Sequence, residues 1–191
     1  MNQNAKKLLQ KLLTGVLIFA VAALGVYFGM ASKGFFNRGG FEESGAVLSA
    51  SKLIVNSKFP SVPLIAADSL QLNSDSIYSQ AGAVIIFMEV GCPPCVGMTQ
   101  KWQKLISEGK ISKDHVAGIS FDSPDAIRAY ARKNGLTFPV YSDTAQVFLK
   151  TYGVDEYPLT IVVGKSGTIQ SQTQDPRPEI DLEDLTKKLG S

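Results

Sequence analysis

The stretch Phe87-Met88-Glu89-Val90-Gly91-Cys92-Pro93-Pro94-Cys95 decides how the rest of the chain is read, because it joins an apolar run to the only two cysteines in the sequence. Upstream, Ala83-Val84-Ile85-Ile86-Phe87-Met88 is β-branched and aromatic between Gly82 and Gly91. That composition suits a strand buried on both faces, in a sheet with parallel neighbours. Downstream, Cys95, Met98, Trp102 and Leu105 recur at steps of three, four and three, while Gln100, Lys101, Gln103 and Lys104 fall on other faces. This is the pattern of an amphipathic helix. The cysteine pair is therefore expected at a strand-to-helix turn.

That placement separates the two thiols chemically. With Cys92 at the N-cap and Pro93 at the first helical position, the Cys92 sulfur lies outside the helix, near the positive end of its dipole. Cys95 faces inward with Met98 and Trp102. Cys92 is the candidate nucleophile and Cys95 the resolving thiol, since a thiolate attacks a partner disulfide and a second thiol must then reach the mixed disulfide to release product. The motif prolines Pro93 and Pro94 carry no N–H, so the Cys95 amide is the first donor available to a Cys92 thiolate, which limits the depression of its pKa. The bland alternatives are a structural disulfide or half of a zinc site. Zinc would need two further ligands, and the sequence offers one histidine, His115, and no other cysteine. Neither a metal nor a cofactor is expected.

A length of 191 residues with 45% hydrophobic and 19% charged residues allows one ordinary domain plus a short segment, and excludes disorder throughout. The short segment is at the front. Residues 12–30 run without a charge after Lys6, Lys7 and Lys11, and at about 1.5 Å per residue they reach roughly 28 Å, enough to cross a bilayer core. A cleaved signal peptide is the competing reading, with small residues at Gly29-Met30-Ala31. The run is longer than a signal core, so a retained anchor over 12–31 is expected. The lysine bias puts residues 1–11 in the cytoplasm and the remainder in an extracytoplasmic, periplasm-like compartment where disulfide chemistry is at home. All 17 acidic residues lie at or after Glu42, and five of the 19 basic ones precede it, so the exported part is mildly acidic. Nucleic-acid binding gains no support from that balance.

Residues 32–58 read as a glycine-bearing tether, with a weak helical stripe through Val47, Leu48, Ser51, Ile54 and Val55 as an extension of it. The domain is expected over 59–191. Short strands are expected at Val62-Pro63-Leu64-Ile65, Leu70-Gln71-Leu72, Val116-Ala117-Gly118-Ile119 and Phe138-Pro139-Val140-Tyr141. Ser123-Pro124-Asp125 opens a helix that stops at Asn134-Gly135, and Asp143 caps another that Gly153 ends. Asp125 and Asp143 are accordingly read as caps, and His115 as a surface loop residue. A hairpin through Leu159-Thr160-Ile161-Val162-Val163 and a final helix carrying Leu182, Leu185 and Leu189 complete the domain.

This order of elements resembles the thioredoxin-like fold, and within it the membrane-anchored TlpA-like or ResA-like branch of thiol-disulfide oxidoreductases, related to the redoxin and AhpC/TSA proteins. The resemblance rests on the Cys92-Pro93-Pro94-Cys95 turn, on the run from Ile119-Ser120-Phe121-Asp122-Ser123-Pro124 to Phe138-Pro139-Val140, and on Tyr152-Gly153-Val154 leading to Tyr157-Pro158. It implies an α/β fold with a central mixed sheet flanked by helices and an αβ insertion. It also implies a cis Pro158 opposite the cysteines, with the backbone of Tyr157 pairing to an extended substrate segment. Several positions depart from the family, among them Gly91 in place of the usual aromatic before the cysteines and Tyr157, bulkier than the residues common before the cis-proline. Ile86 stands where thioredoxin has a buried acid, and Met98 where some relatives have Glu, which leaves Glu89 as the nearest carboxylate in sequence for proton transfer through water.

The implied function is a tethered reductase of exported protein disulfides, with apocytochrome c during haem attachment as one candidate substrate and a transmembrane electron carrier as donor. An oxidase or isomerase on the same pair is the alternative in direction. A copper-binding protein of the Sco type fits less well, because that pattern separates its cysteines by one more residue and adds a distant histidine. A peroxidase of the peroxiredoxin type wants Thr or Ser where Glu89 stands.

Overall fold

The computed structural model describes residues 51–175 and 179–191. The segments expected from the sequence to be cytoplasmic (1–11), membrane-spanning (12–31) and tethering (32–58, as far as residue 50) lie outside the described residues. Within them, strands β1 (Pro63–Ala66), β2 (Gln71–Asn73), β3 (Ala83–Met88), β4 (Val116–Ser120), β5 (Val140–Ser142), β6 (Leu159–Val163) and β7 (Ile169–Thr173) form one mixed sheet in the order β2-β1-β5-β4-β3-β6-β7. Helices α1 (Asp75–Tyr78), α2 (Pro93–Ser107), α3 (Pro124–Lys133), α4 (Val147–Tyr152) and α5 (Leu182–Gly190) and a 3-10 turn at Lys113–His115 complete the described elements.

β3 is central because every one of its residues is buried, so both faces must be covered. Side chains alternate across a strand. Ala83, Ile85 and Phe87 accordingly join Phe59, Phe148 and Ile161 on one face, and Val84, Ile86 and Met88 join Cys95, Met98, Trp102 and Leu185 on the other. Each large side chain so buried contributes about 1.5–3 kcal/mol. β3 pairs in parallel with β4 and antiparallel with β6, with Phe87 opposite both Ile119 and Leu159. The C-terminal ends of β3 and β4 and the beginning of β6 therefore meet at one edge of the sheet.

α2 and α3 pack on the Cys95 face. Thr99 Oγ1 lies 3.0 Å from the Tyr130 hydroxyl, Gln100 Nε2 donates to the Asn134 carbonyl at 2.7 Å, and the Thr137 amide donates to Gln103 Oε1 at 2.7 Å. Later residues of α2 meet, in turn, Tyr130 on α3, its C-cap Asn134 and Thr137 just beyond it, so the two helices run side by side in the same direction. The Ser123 hydroxyl accepts from the Ala126 amide at 3.3 Å, capping α3 as expected. Asp143 is 1% exposed and its two carboxylate oxygens accept from the Val147 and Phe148 amides at 3.0 and 2.8 Å, so it holds the start of α4. At the start of β3, Gly82 has φ +71°, and a Cβ there would collide with the Leu189 carbonyl at the end of α5.

Two expectations need correction. The packed domain begins before residue 59, and the stripe around residues 51–55 is not helical. Leu53 is 1% exposed in the Phe59–Phe148 cluster, while Ile54 and Val55 face out. The Lys52 amide donates to the Tyr152 carbonyl at 2.8 Å, and Asn56 and Ser57 exchange hydrogen bonds with Ile169 at 2.8 and 2.9 Å. Backbone pairing to the sheet edge thus displaces the helix suggested by spacing alone. His115 is half-buried rather than a surface loop residue, its Nδ1 lying 3.2 Å from the Gly82 carbonyl, at the edge of the sheet opposite the cysteines.

Candidate active site

β3 delivers the chain to the sheet edge at Met88, and four residues later Cys92 takes the N-cap of α2 with extended backbone, φ −76° and ψ 111°. Pro93 occupies the first turn, where its fixed φ suits the helix and its missing N–H costs nothing. The first amide available after the two prolines, that of Cys95, donates to Cys92 Sγ at 3.3 Å. A disulfide joins Cys92 and Cys95, whose Cα atoms are 5.3 Å apart. Cys95 is 0% exposed among Ile86, Met98 and Trp102, whereas Cys92 is half-buried at the helix mouth.

The turn before Cys92 is fixed from the neighbouring strand. Asp122, just past β4, accepts from the Val90 amide at 2.8 Å and from the Ser120 hydroxyl at 2.7 Å through one carboxylate oxygen. The Ser142 hydroxyl donates to the Asp122 carbonyl at 2.6 Å, tying β5 to the same corner. Gly91 has φ +92°, a conformation glycine adopts without strain, and carries the chain from the anchored Val90 to the cysteine.

Across the edge, at the entrance to β6, the Tyr157–Pro158 peptide is cis and Pro158 is buried. The Tyr157 ring meets Phe121 edge-on at 5.6 Å, and its hydroxyl donates to the Val154 carbonyl at 2.8 Å. Burial first, and then the carboxylates of Glu89, Asp155 and Asp143, hold the Tyr157 phenol well above its ordinary 10.0. It remains a protonated donor. Tyr157 and Cys92 both pack against the buried cluster that contains Cys95.

Residues 55–172 match the AhpC/TSA family, more than half of the 191-residue chain. The chain belongs to the AhpC/TSA family. Thiol-disulfide oxidoreductase ResA of Bacillus anthracis is 27% identical over 109 residues, 56% of this chain and 63% of that protein. ResA of Halalkalibacterium halodurans is 26% identical over 89 residues, 46% of this chain and 51% of that protein. The match thus spans less than two thirds of the length of either relative. Among solved structures, a secreted Mycobacterium tuberculosis disulfide oxidoreductase homologous to DsbE of E. coli has a TM-score of 0.52 at 17% identity, over 68% of this chain and 94% of that one. PrxQ of Xylella fastidiosa has a TM-score of 0.58 at 19% identity, over 72% of this chain and 95% of that one. These likenesses establish a thioredoxin-like fold.

Within this AhpC/TSA domain, Cys92, Pro93, Pro94 and Cys95 share one turn, and Tyr157 and Pro158 stand at the same sheet edge. Glu89 is exposed at the end of β3, and its charge acts on Tyr157. Asp143 is the only fully buried carboxylate among the described residues, and its two oxygens are committed to α4. The residue that sequence reasoning missed is Asp122. Its signal was a serine and an acid two residues apart where a buried strand ends, beside the cysteine loop of a parallel neighbour.

Proposed function

We propose that the chain is a membrane-tethered thiol-disulfide oxidoreductase, anchored through residues 12–31, whose Cys92–Cys95 dithiol reduces disulfides of exported proteins outside the cytoplasm. The observation that carries this reading is the inequality of the two sulfurs: Cys92 caps α2 from outside and is half-exposed, while its disulfide partner Cys95 is 0% exposed. In the reduced protein the Cys92 thiolate attacks a substrate disulfide. The substrate S–S bond breaks, a mixed disulfide forms on Cys92, and one substrate sulfur leaves as a thiolate and takes up a proton. Cys95 then loses its proton and attacks Cys92 Sγ, which forms the Cys92–Cys95 disulfide and releases the second substrate thiol. Two electrons and two protons have passed to the substrate.

With the buried carboxylate engaged elsewhere, the Cys95 proton leaves through water, and Glu89 is the proposed acceptor. Pro158 faces the pair and the Tyr157 backbone holds the substrate chain, while α3 and β5 correspond to the TlpA-type insertion. An exported apocytochrome c is one candidate substrate, and a transmembrane dithiol carrier the proposed donor. The test is turnover by the full chain in a dithiol buffer, with insulin disulfides and hydrogen peroxide as alternative oxidants. Reduction of insulin that is lost in Cys92→Ser is expected. Peroxide turnover without disulfide reduction would replace this reading with a peroxidase.

A further inference from the structure

A groove of about 620 Å³ opens between α2 and α3 beside the cysteines. Gly91 and Pro93, the two neighbours of Cys92, form one end of it. Val96, Ala129 and Tyr130 give it an apolar middle, and Lys133 stands at the other end. A Cβ placed on Gly91 would meet nothing within 4 Å, so the cysteine end is open. Because α2 and α3 run in the same direction, the first turn of α3 lies at the Cys92 end and its last turn away from it. From Ala126 to Lys133 the helix rises about 10 Å, the span of about three residues of extended chain.

In the last turn of α3 Arg132 and Lys133 are both exposed and outside the ion pairs among the described residues, and of the two Lys133 lines the groove. On the same helix Arg128 is committed, donating to the Ala67 carbonyl and pairing with Asp125 at 2.8 Å. A mixed disulfide on Cys92 brings the substrate chain directly alongside Gly91 and Pro93, so the substrate chain is the occupant this groove is placed to receive. It lies on the β4 side of β3, whereas Tyr157 and Pro158 lead into β6 on the other side.

We propose that this groove holds the substrate polypeptide flanking the reacting cysteine, selecting an apolar side chain next to that cysteine and a carboxylate about three residues away that pairs with Lys133. The inference rests on the oxidoreductase reading and adds the class of substrate it prefers.

The reduced full chain would be given short peptides, each carrying one cysteine linked to glutathione, with the variable residues placed on either side of it. One peptide has Val beside the cysteine and Glu three residues away, a second exchanges Glu for Lys, and a third exchanges Val for Ser. In at least one chain direction, kcat/KM should favour Glu over Lys by about two- to five-fold, the range of an exposed ion pair. Val should exceed Ser in that same direction. Lys133→Glu should reverse the Glu–Lys order, while Lys150→Glu, an equal charge change on α4 over the other face of the sheet, should preserve it. Equal rates for all peptides, or the same reversal in Lys150→Glu, would overturn the groove while leaving the oxidoreductase reading intact. Failure to react with every peptide and with insulin would overturn both.

Discussion

Asp122→Ala removes the acceptor on which the Val90 amide and the Ser120 hydroxyl converge at 2.8 and 2.7 Å. A hydrogen bond to a charged group is worth about 1.5–3 kcal/mol. Asp122 is half-exposed and solvent can replace part of what is lost, so the two bonds together should account for about 2–3 kcal/mol rather than twice the single-bond figure. Urea unfolding followed by Trp102 reads this directly, because it is the sole tryptophan and is 2% exposed beside the Cys95 layer. With a urea slope of about 2 kcal/mol/M, the midpoint should fall by about 1 M at unchanged slope. Asp122→Asn keeps an acceptor without the charge and should lose about half as much. Because Val90 anchors the loop carrying Cys92, Asp122→Ala should also slow disulfide reduction under conditions where it remains folded. A midpoint unchanged to within about 0.2 M, with wild-type turnover, would refute the role assigned to this carboxylate.

Pro93→Gly restores an N–H to the first turn of α2, where Cys95 alone now donates to Cys92 Sγ, so the Cys92 thiol of the reduced protein should titrate lower than in the wild type, measured by thiolate absorbance. An unchanged titration would exclude the missing donors as a restraint. The Tyr157 phenol is held above 10.0 in the folded state, so as pH passes 10.0 the unfolded chain releases a proton that the native state still keeps. Its contribution to stability is complete below pH 10.0 and is lost as pH rises further. Tyr157→Phe should make the alkaline decline shallower without abolishing it, since burial raises Tyr78, Tyr130 and Tyr141 too, and an identical pH profile would contradict this. Leu53→Ala should cost about 3 kcal/mol by the same urea assay. A loss below about 1 kcal/mol would return residues 51–58 to the status of a tether.

The site was legible where local chemistry dictates structure. An apolar run ending in Gly91-Cys92-Pro93 suits a buried strand meeting a helix, and the spacing of Cys95, Met98 and Trp102 already separates the inward sulfur from the outward one. The caps at Ser123 and Asp143 were equally local. What escaped was set by pairing between distant segments. The helical stripe through Ile54 and Val55 passes over Leu53, the residue that is buried, because nothing near it announces that Asn56 and Ser57 pair with Ile169, more than 110 residues away. Asp122 reads as an ordinary loop acid until the parallel register of β3 and β4 brings it to the Val90 amide. The groove between α2 and α3 likewise exists only once the helices are aligned by Thr99–Tyr130 and Gln100–Asn134.

The central claim is that Cys92 attacks and Cys95 resolves, and trapping followed by mass spectrometry tests it most directly. Reduced full-length Cys95→Ser and Cys92→Ser variants would each be mixed with a disulfide-bearing protein and examined without reductant. Cys95→Ser should accumulate a mixed disulfide through Cys92, because the thiol that releases product is gone. Cys92→Ser should accumulate essentially none, because Cys95 is 0% exposed beneath the start of α2. Equal trapping by the two variants, or alkylation of Cys95 ahead of Cys92 in the native reduced protein, would contradict the assignment.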